Sequence, residues 1–260
     1  MMFFMTGMND IWHALEVPCD PAGLDGALEN VRNWFPDDDQ FGDCLRNEKR
    51  ASCDPRLGTE LQLGLLHYAC GSALAPGSDG EQERRAACVA RLLAVGAGFV
   101  DGAATHVTRT EDGFASRGGL TPLHVWASTL GEHSLPVLRR LVDAGADAGL
   151  RDAGGDAPLH TFAYAASFAD EAACDARLDL LLRAGADLSA VDAKGRTPLA
   201  CARLVAEDAP SAVVAVLERR TAAARAAALA AGEAALAAVE ATAAAEGDDT
   251  AVGDDTGGSS

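Results

Sequence analysis

The sequence predicts an all-α fold built from stacked helix-turn-helix units. Three observations predict it. Residues 118–147 read as one complete unit of turn, helix, loop, helix and glycine cap. The pieces of that unit recur. Ala157-Pro158-Leu159-His160 repeats Thr121-Pro122-Leu123-His124, the segment Leu181 to Asp187 repeats Leu141 to Asp147, and Thr197-Pro198-Leu199 opens a further copy. Finally, aromatics are only 5% of the chain. The apolar fraction rests on Ala and Leu, which suit thin stacked helices better than a thick β-sandwich core. A single such unit cannot bury its own apolar faces, so copies must stack.

Residues 1–56 are the least regular part. Asn9 or Asp10 can cap a short helix, Ile11 to Val17, with Ile11, Trp12 and Leu15 on one side. A second helix, Leu24 to Phe35, carries Leu24, Leu28, Val31 and Phe35 at helical spacing and stops at Pro36. Asp37-Asp38-Asp39 then breaks it. Two readings stay open for this segment. It is an N-terminal cap or degenerate repeat that shields the first unit from water, or a separate module that recruits its own partner.

Residues 57–220 hold about four units. The first uses Leu65-Leu66-His67-Tyr68-Ala69 and Leu92 to Ala97. Leu66 to Gly96 is 30 residues and Gly96 to Leu123 is 27, so this unit should have a long inter-helix loop (Gly71 to Glu81) and an enlarged finger (Val100 to Gly119). In the second unit Thr121 caps a helix of about Pro122 to Thr129, with Pro122 where its missing N–H costs nothing. Its second helix runs from about Leu135 to Ala144 and Gly145 ends it in a left-handed cap. The third unit has helices Pro158 to Phe168 and Cys174 to Ala184. The fourth has Pro198 to Val205, then a helix from Ser211 to about Arg220. It lacks the Gly-Ala-Asp ending, so the regular stack stops there. Thr221 to Ala245 is Ala-rich and predicts a continuing helix, frayed after Gly232. Residues 246–260 are acidic and rich in Gly and Ser, a composition that predicts a disordered tail.

These motifs resemble the ankyrin repeat, whose period is about 33 residues and whose signature is T-P-L-H-x-A. The resemblance covers roughly Leu57 to Arg220 and implies an ankyrin-repeat solenoid of helical pairs joined by β-turn fingers. Gly145 to Leu159 and Gly185 to Leu199 are both 14 residues, the interval that holds the finger. The resemblance also implies a structural role for His67, His124 and His160, each bridging turn backbone between repeats. The fourth unit has Ala200 at that place. Asp147, Asp152, Asp187 and Asp192 recur as well, and short carboxylates in such places bond turn backbone.

Composition excludes some functions. A net charge of -18 argues against nucleic-acid binding, which needs a basic face. The seven cysteines, Cys19, Cys44, Cys53, Cys70, Cys88, Cys174 and Cys201, are odd in number and form no CxxC pair, so neither a zinc site nor a disulfide framework follows. A cytoplasmic or other reducing intracellular compartment is the simple reading. Met1 to Met5 lacks the basic flank and length of a signal peptide. No run is expected to approach the 18 or so residues of a membrane span. No motif marks a nucleophile, metal cluster or cofactor cradle, so catalytic residues, metal ligands and cofactors are all expected to be absent.

What remains is surface. Finger tips and first helices line the concave face where repeat solenoids bind. The finger positions that the repeat does not need for its own fold include Arg151, Ala153, Gly154 and Asp156, then Val191, Ala193, Lys194 and Arg196. On the first helices they include Val125, Trp126, Thr161 and Tyr164. Trp126 stands where the family has the small Ala of its signature, either as a swollen core contact or as an exposed anchor. In the enlarged first finger Arg109, Phe114 and Arg117 can project beyond the stack, although Phe114 can equally pack back on the finger. Arg151, Lys194 and Arg196 form a local basic strip on an acidic chain, which suits an acidic partner segment. The implied function is protein–protein interaction, as adaptor, scaffold or competitive binder. Two alternatives are a dedicated neutraliser of one obligate protein, and an enzyme whose catalytic part lies in residues 1–56.

Overall fold

A computed structural model of the chain describes residues 2–16, 19–47, 49–54, 59–71, 79–96, 100–110, 113–128, 134–165, 170–206 and 211–247. They divide into two compact units, Met1–Leu217 and Glu218–Ser260.

The first unit opens with three helices. α1 spans Met2–Leu15 and α2 spans Pro21–Arg32. Asp20 caps α2, accepting from the Ala22 N–H at 3.1 Å, and Pro21 follows at the first helical position. α3 spans Asp38–Asn47, and the Gln40 N–H donates to Asp37 Oδ1 at 2.8 Å. Two expectations are corrected here. Asn9 and Asp10 cap nothing, because Met8, Ile11, Trp12 and Leu15 form one buried helical stripe that runs straight through them. The second helix ends at Arg32, short of Phe35 and Pro36, so the three aspartates do not break it; Asp38 and Asp39 instead open the next helix, whose Phe41 and Leu45 are buried.

The repeats follow. α4 (Leu65–Gly71) and α5 (Asp79–Val95) form the first pair, and α6 (Pro122–Ala127) and α7 (Leu135–Asp143) the second. α8 (Pro158–Ala165) and α9 (Glu171–Arg183) form the third. α10 (Pro198–Ala206) is followed by α11 (Ala212–Gly247). First helices pack in series, α4 on α6, α6 on α8 and α8 on α10, and second helices do the same, α5 on α7 and α7 on α9. α1 packs on α4 and α2 on α5 in the same sense. Leu123, Leu141, Leu159 and Leu181 are all buried at this seam. Thr121 caps α6 in a capping box with His124, and Gly145, at φ 87°, takes the left-handed conformation that ends α7.

The fold is mostly helical but not all-α. β1 (Lys49–Asp54), β2 (Thr59–Gly64), β3 (Ala104–Thr110) and β4 (Gly113–Leu120) form one antiparallel sheet in the order β1-β2-β3-β4. The enlarged finger is therefore a β-hairpin, joined by β2 to a second hairpin from the N-terminal region. Local chemistry explains it. Glu60-Leu61-Gln62-Leu63 alternates with period two, and β3 is rich in β-branched Thr and Val.

Glu218–Gly247 belongs to α11. The helix does not fray at Gly232 within the described residues. One glycine costs about 1 kcal/mol relative to Ala, too little to stop an otherwise Ala-rich helix. The tail, residues 248–260, lies outside the described residues. The expectation about membrane spans is also corrected, since Ala212–Val239 is long and apolar enough to cross one by length and composition alone. Its hydropathy comes mainly from Ala, and it carries Glu218, Arg219, Arg220, Arg225 and Glu233. A charge at mid-membrane costs about 2.5–3.5 kcal/mol, against about 0.3–0.6 gained per Leu or Val.

Candidate partner-binding surface

The two later fingers are tight turns closed around a carboxylate. Asp152 Oδ1 accepts from the N–H groups of Gly154 (2.8 Å) and Asp156 (3.0 Å). Asp192 Oδ1 accepts from those of Lys194 and Arg196, both at 2.8 Å. Asp147 and Asp187 do the same past the helix ends, accepting from Gly149 (2.7 Å) and Ser189 (2.8 Å). Successive fingers also approach closely. A Cβ on Gly155, which has φ 78°, would sit 3.0 Å from the Ala193 nitrogen.

The three histidines hold one unit to the next. The Nδ1 atoms of His124 and His160 accept from the Thr121 and Ala157 N–H groups, each at 3.2 Å. This places the proton on Nε2. His124 Nε2 then donates to the Asp156 carbonyl at 3.0 Å, and His160 Nε2 to the carbonyls of Ala190 and Arg196, both at 3.1 Å. His67 Nε2 meets the Gly102 and Leu120 carbonyls at 2.8 and 2.9 Å. The rings therefore bridge backbone along the stack, as the resemblance implied.

The candidate residues separate into distinct groups. Trp126 is 1% exposed. Its indole N–H donates to the Ser134 carbonyl at 2.9 Å, and its ring stacks on Phe162 with centroids 5.8 Å apart. It is the core contact, not the anchor, and Val125 is buried too. Both leave the candidate surface. Thr161 and Tyr164 are half-buried. Arg151 is exposed, yet its guanidinium donates to the Gly155 carbonyl at 2.9 Å and to the Val191 carbonyl of the next finger. Asp156 gives its backbone to Asp152 and His124. Val191 and Lys194 are exposed. In the sheet, Arg109 pairs with Phe114 and His106 with Arg117 across β3 and β4. The side chains of Arg109, Phe114 and Arg117 lie outside the described residues.

Arg196 belongs to a polar cluster. Its Nη2 lies 2.6 Å from Asp192 Oδ2, and its guanidinium stands 5.5 Å over the Tyr164 ring. Burial pushes the Asp192 pKa up. The N–H groups and guanidinium of Arg196, with the Lys194 N–H, outweigh that and hold it down at about 2. Burial, then hydrogen bonding to Cys201, pushes Tyr164 up to about 12.

Residues 118–153 match the family model of the ankyrin repeat. The chain thus carries an ankyrin repeat at its centre. The match covers the central unit, the one whose cap, histidine bridge and glycine ending are complete. No curated protein matches the chain. Ankyrin repeats are typically non-catalytic binding units. Sequence reasoning missed three exposed apolar residues of the repeat region. Leu150 lies just ahead of the finger turn at Asp152, and Leu204 and Val205 lie near the end of α10. An apolar residue beside Arg151, in a turn that needs none, was the available signal for Leu150. It also missed buried Glu81, which accepts from the Cys19 N–H (3.2 Å), Arg84 (2.6 Å) and Arg85 (3.4 Å) and so ties α5 to the chain ahead of α2. Among the described residues no group of three or more His, Cys, Asp or Glu could hold a metal ion.

Proposed function

We propose that this protein is a protein–protein interaction module that binds through its finger tips, as an adaptor, scaffold or competitive binder. The serial packing of first on first and second on second helices supports a solenoid, and the fingers form a row along it. One observation carries the reading. Leu150 and Val191, at the feet of successive fingers, are 37% and 46% exposed where the repeat needs no apolar side chain. Arg151 and Lys194 flank them. The surface thus combines apolar contact with positive charge, on a chain of net charge -18. An acidic partner segment with apolar residues fits it, and repulsion elsewhere keeps that segment from docking off-site. The odd cysteine count supports a reducing intracellular setting.

The test is a photo-crosslinking amino acid placed at Val191 or at Lys194 in the source cell, with Arg139, exposed on α7, as control. The expected result is one common adduct at both finger positions and none at Arg139. Adducts at Arg139 alone, or only within Arg109 to Arg117, move the site off the fingers and overturn the reading.

A further inference from the structure

The C-terminal helix carries a seam that the sequence pattern picks out. Beyond Leu217, the described part of α11 holds three aliphatic side chains larger than Ala. These are Leu229, Leu236 and Val239, exposed at 70%, 61% and 63%. All three fall on one face. Arg225, Leu229, Gly232, Leu236, Val239 and Ala243 alternate spacings of four and three, the a/d pattern of a coiled coil. Three large apolar groups on a solvent-exposed Ala helix, all aligned, call for a cover.

We propose that a second copy of this chain covers the seam, with α11 antiparallel to α11. In an antiparallel pair, a positions face d positions. The register that achieves this puts Leu229 opposite Val239 of the second copy, and Gly232 opposite Leu236, small against large. Arg225 then lies opposite Ala243, with Glu240 and Glu246 of the second copy three residues to either side. Two-fold symmetry repeats each match at the other end. A parallel pair fails on charge, since it sets Arg225 against Arg225 and Glu246 against Glu246, and like charges in register repel. A bilayer would have to take in Arg225 and Glu233 with the apolar residues. Glu233 lies next to the two-fold axis, near its own copy, and is the one charge that opposes the pairing.

Sedimentation equilibrium of the full chain tests this. The expected result is a concentration-dependent monomer–dimer equilibrium. Leu229→Asp with Leu236→Asp should weaken it at least about tenfold, with the far-ultraviolet circular dichroism of the monomer retained, since both positions are exposed. Arg225→Glu should weaken it similarly, and adding Glu240→Arg and Glu246→Arg should restore it. Glu233→Gln should tighten it. A monomer at every soluble concentration, a dimer indifferent to the Leu substitutions, or a charge reversal without restoration would overturn the proposal. So would a monomer that floats with phosphatidylcholine–phosphatidylglycerol vesicles, which would make the bilayer the occupant.

Discussion

Arg196 and Asp192 form an i,i+4 ion pair across one finger, Nη2 to Oδ2 at 2.6 Å, with the Asp192 side chain almost wholly buried. The pair changes the meaning of the basic strip. Arg196 and Arg151 serve the turns and the bond between fingers, so Lys194 is the member of the strip with the least structural duty. Replacing Arg151, Lys194 and Arg196 together with Ser should therefore lower the thermal midpoint. Lys194→Ser alone should leave it unchanged. Equal midpoints for the triple variant and the wild type would show that the guanidiniums are decorative.

The same pair sets an acid response. The folded-state pKa of Asp192 is about 2, below the ordinary Asp value of about 3.9. A depressed carboxylate pKa contributes stability that is complete above the unfolded value and is lost as pH falls through the folded one. The difference in denaturant midpoint between wild type and Asp192→Asn should thus be constant above about pH 5 and shrink between about pH 4 and pH 2. A difference that is flat across that window would place the Asp192 carboxyl outside the finger network.

Much of this was legible in the sequence, for a physical reason. The repeat is a local device, and Thr121-Pro122, the Asp turns and Gly145 each act within a few residues. The histidine bridges were readable because they recur at repeat spacing. The sheet was not, because β2 pairs with β3 across a helical pair, and such distant pairing leaves no mark on the sequence between them. Nor was the burial of Trp126. A Trp in place of the small signature residue fits either environment, and only Phe162 and the Ser134 carbonyl decide it.

His124 should prove structural and local. His124→Ala removes the acceptor of the buried Thr121 N–H within its own unit and the donor to the part-buried Asp156 carbonyl of the next finger. An unsatisfied buried polar group costs about 1–3 kcal/mol. The denaturant midpoint should fall accordingly, and amide exchange should quicken first at Thr121 and in the 150–157 finger. Faster exchange confined to α1 and α2 would contradict the bridging role.

Glu81 should behave as the tie of the N-terminal helices. Burial pushes its pKa up, but the bond from Arg84, the Cys19 N–H and the charge of Arg85 hold it below the usual carboxylate range. Glu81→Ala takes the acceptor from the buried Cys19 N–H and the countercharge from Arg85, at a cost of about 1–3 kcal/mol. Limited proteolysis should then cut near residues 16–20 before it cuts the central repeats. An unchanged cleavage order would mean that apolar packing of α1 and α2 suffices without the carboxylate.

The boundary of the packed stack should fall inside α11. Val213, Val216 and Leu217 are 2%, 0% and 1% exposed, whereas Leu229, Leu236 and Val239 are all above 60%. The large apolar side chains of α11 are therefore buried up to Leu217 and exposed beyond it. Truncation before Ala222 removes no buried apolar side chain among the described residues, so the stack should keep its denaturant midpoint at concentrations where the chain is monomeric. Ellipticity should fall in proportion to the helical residues lost. Leu217→Ala should do the opposite. Ellipticity should hold, because Ala is the better helix former. The midpoint should drop by about 2–5 kcal/mol in free energy, the usual cost of a Leu→Ala cavity in a core. A truncation that unfolds the repeats, or a Leu217→Ala variant of wild-type stability, would move that boundary.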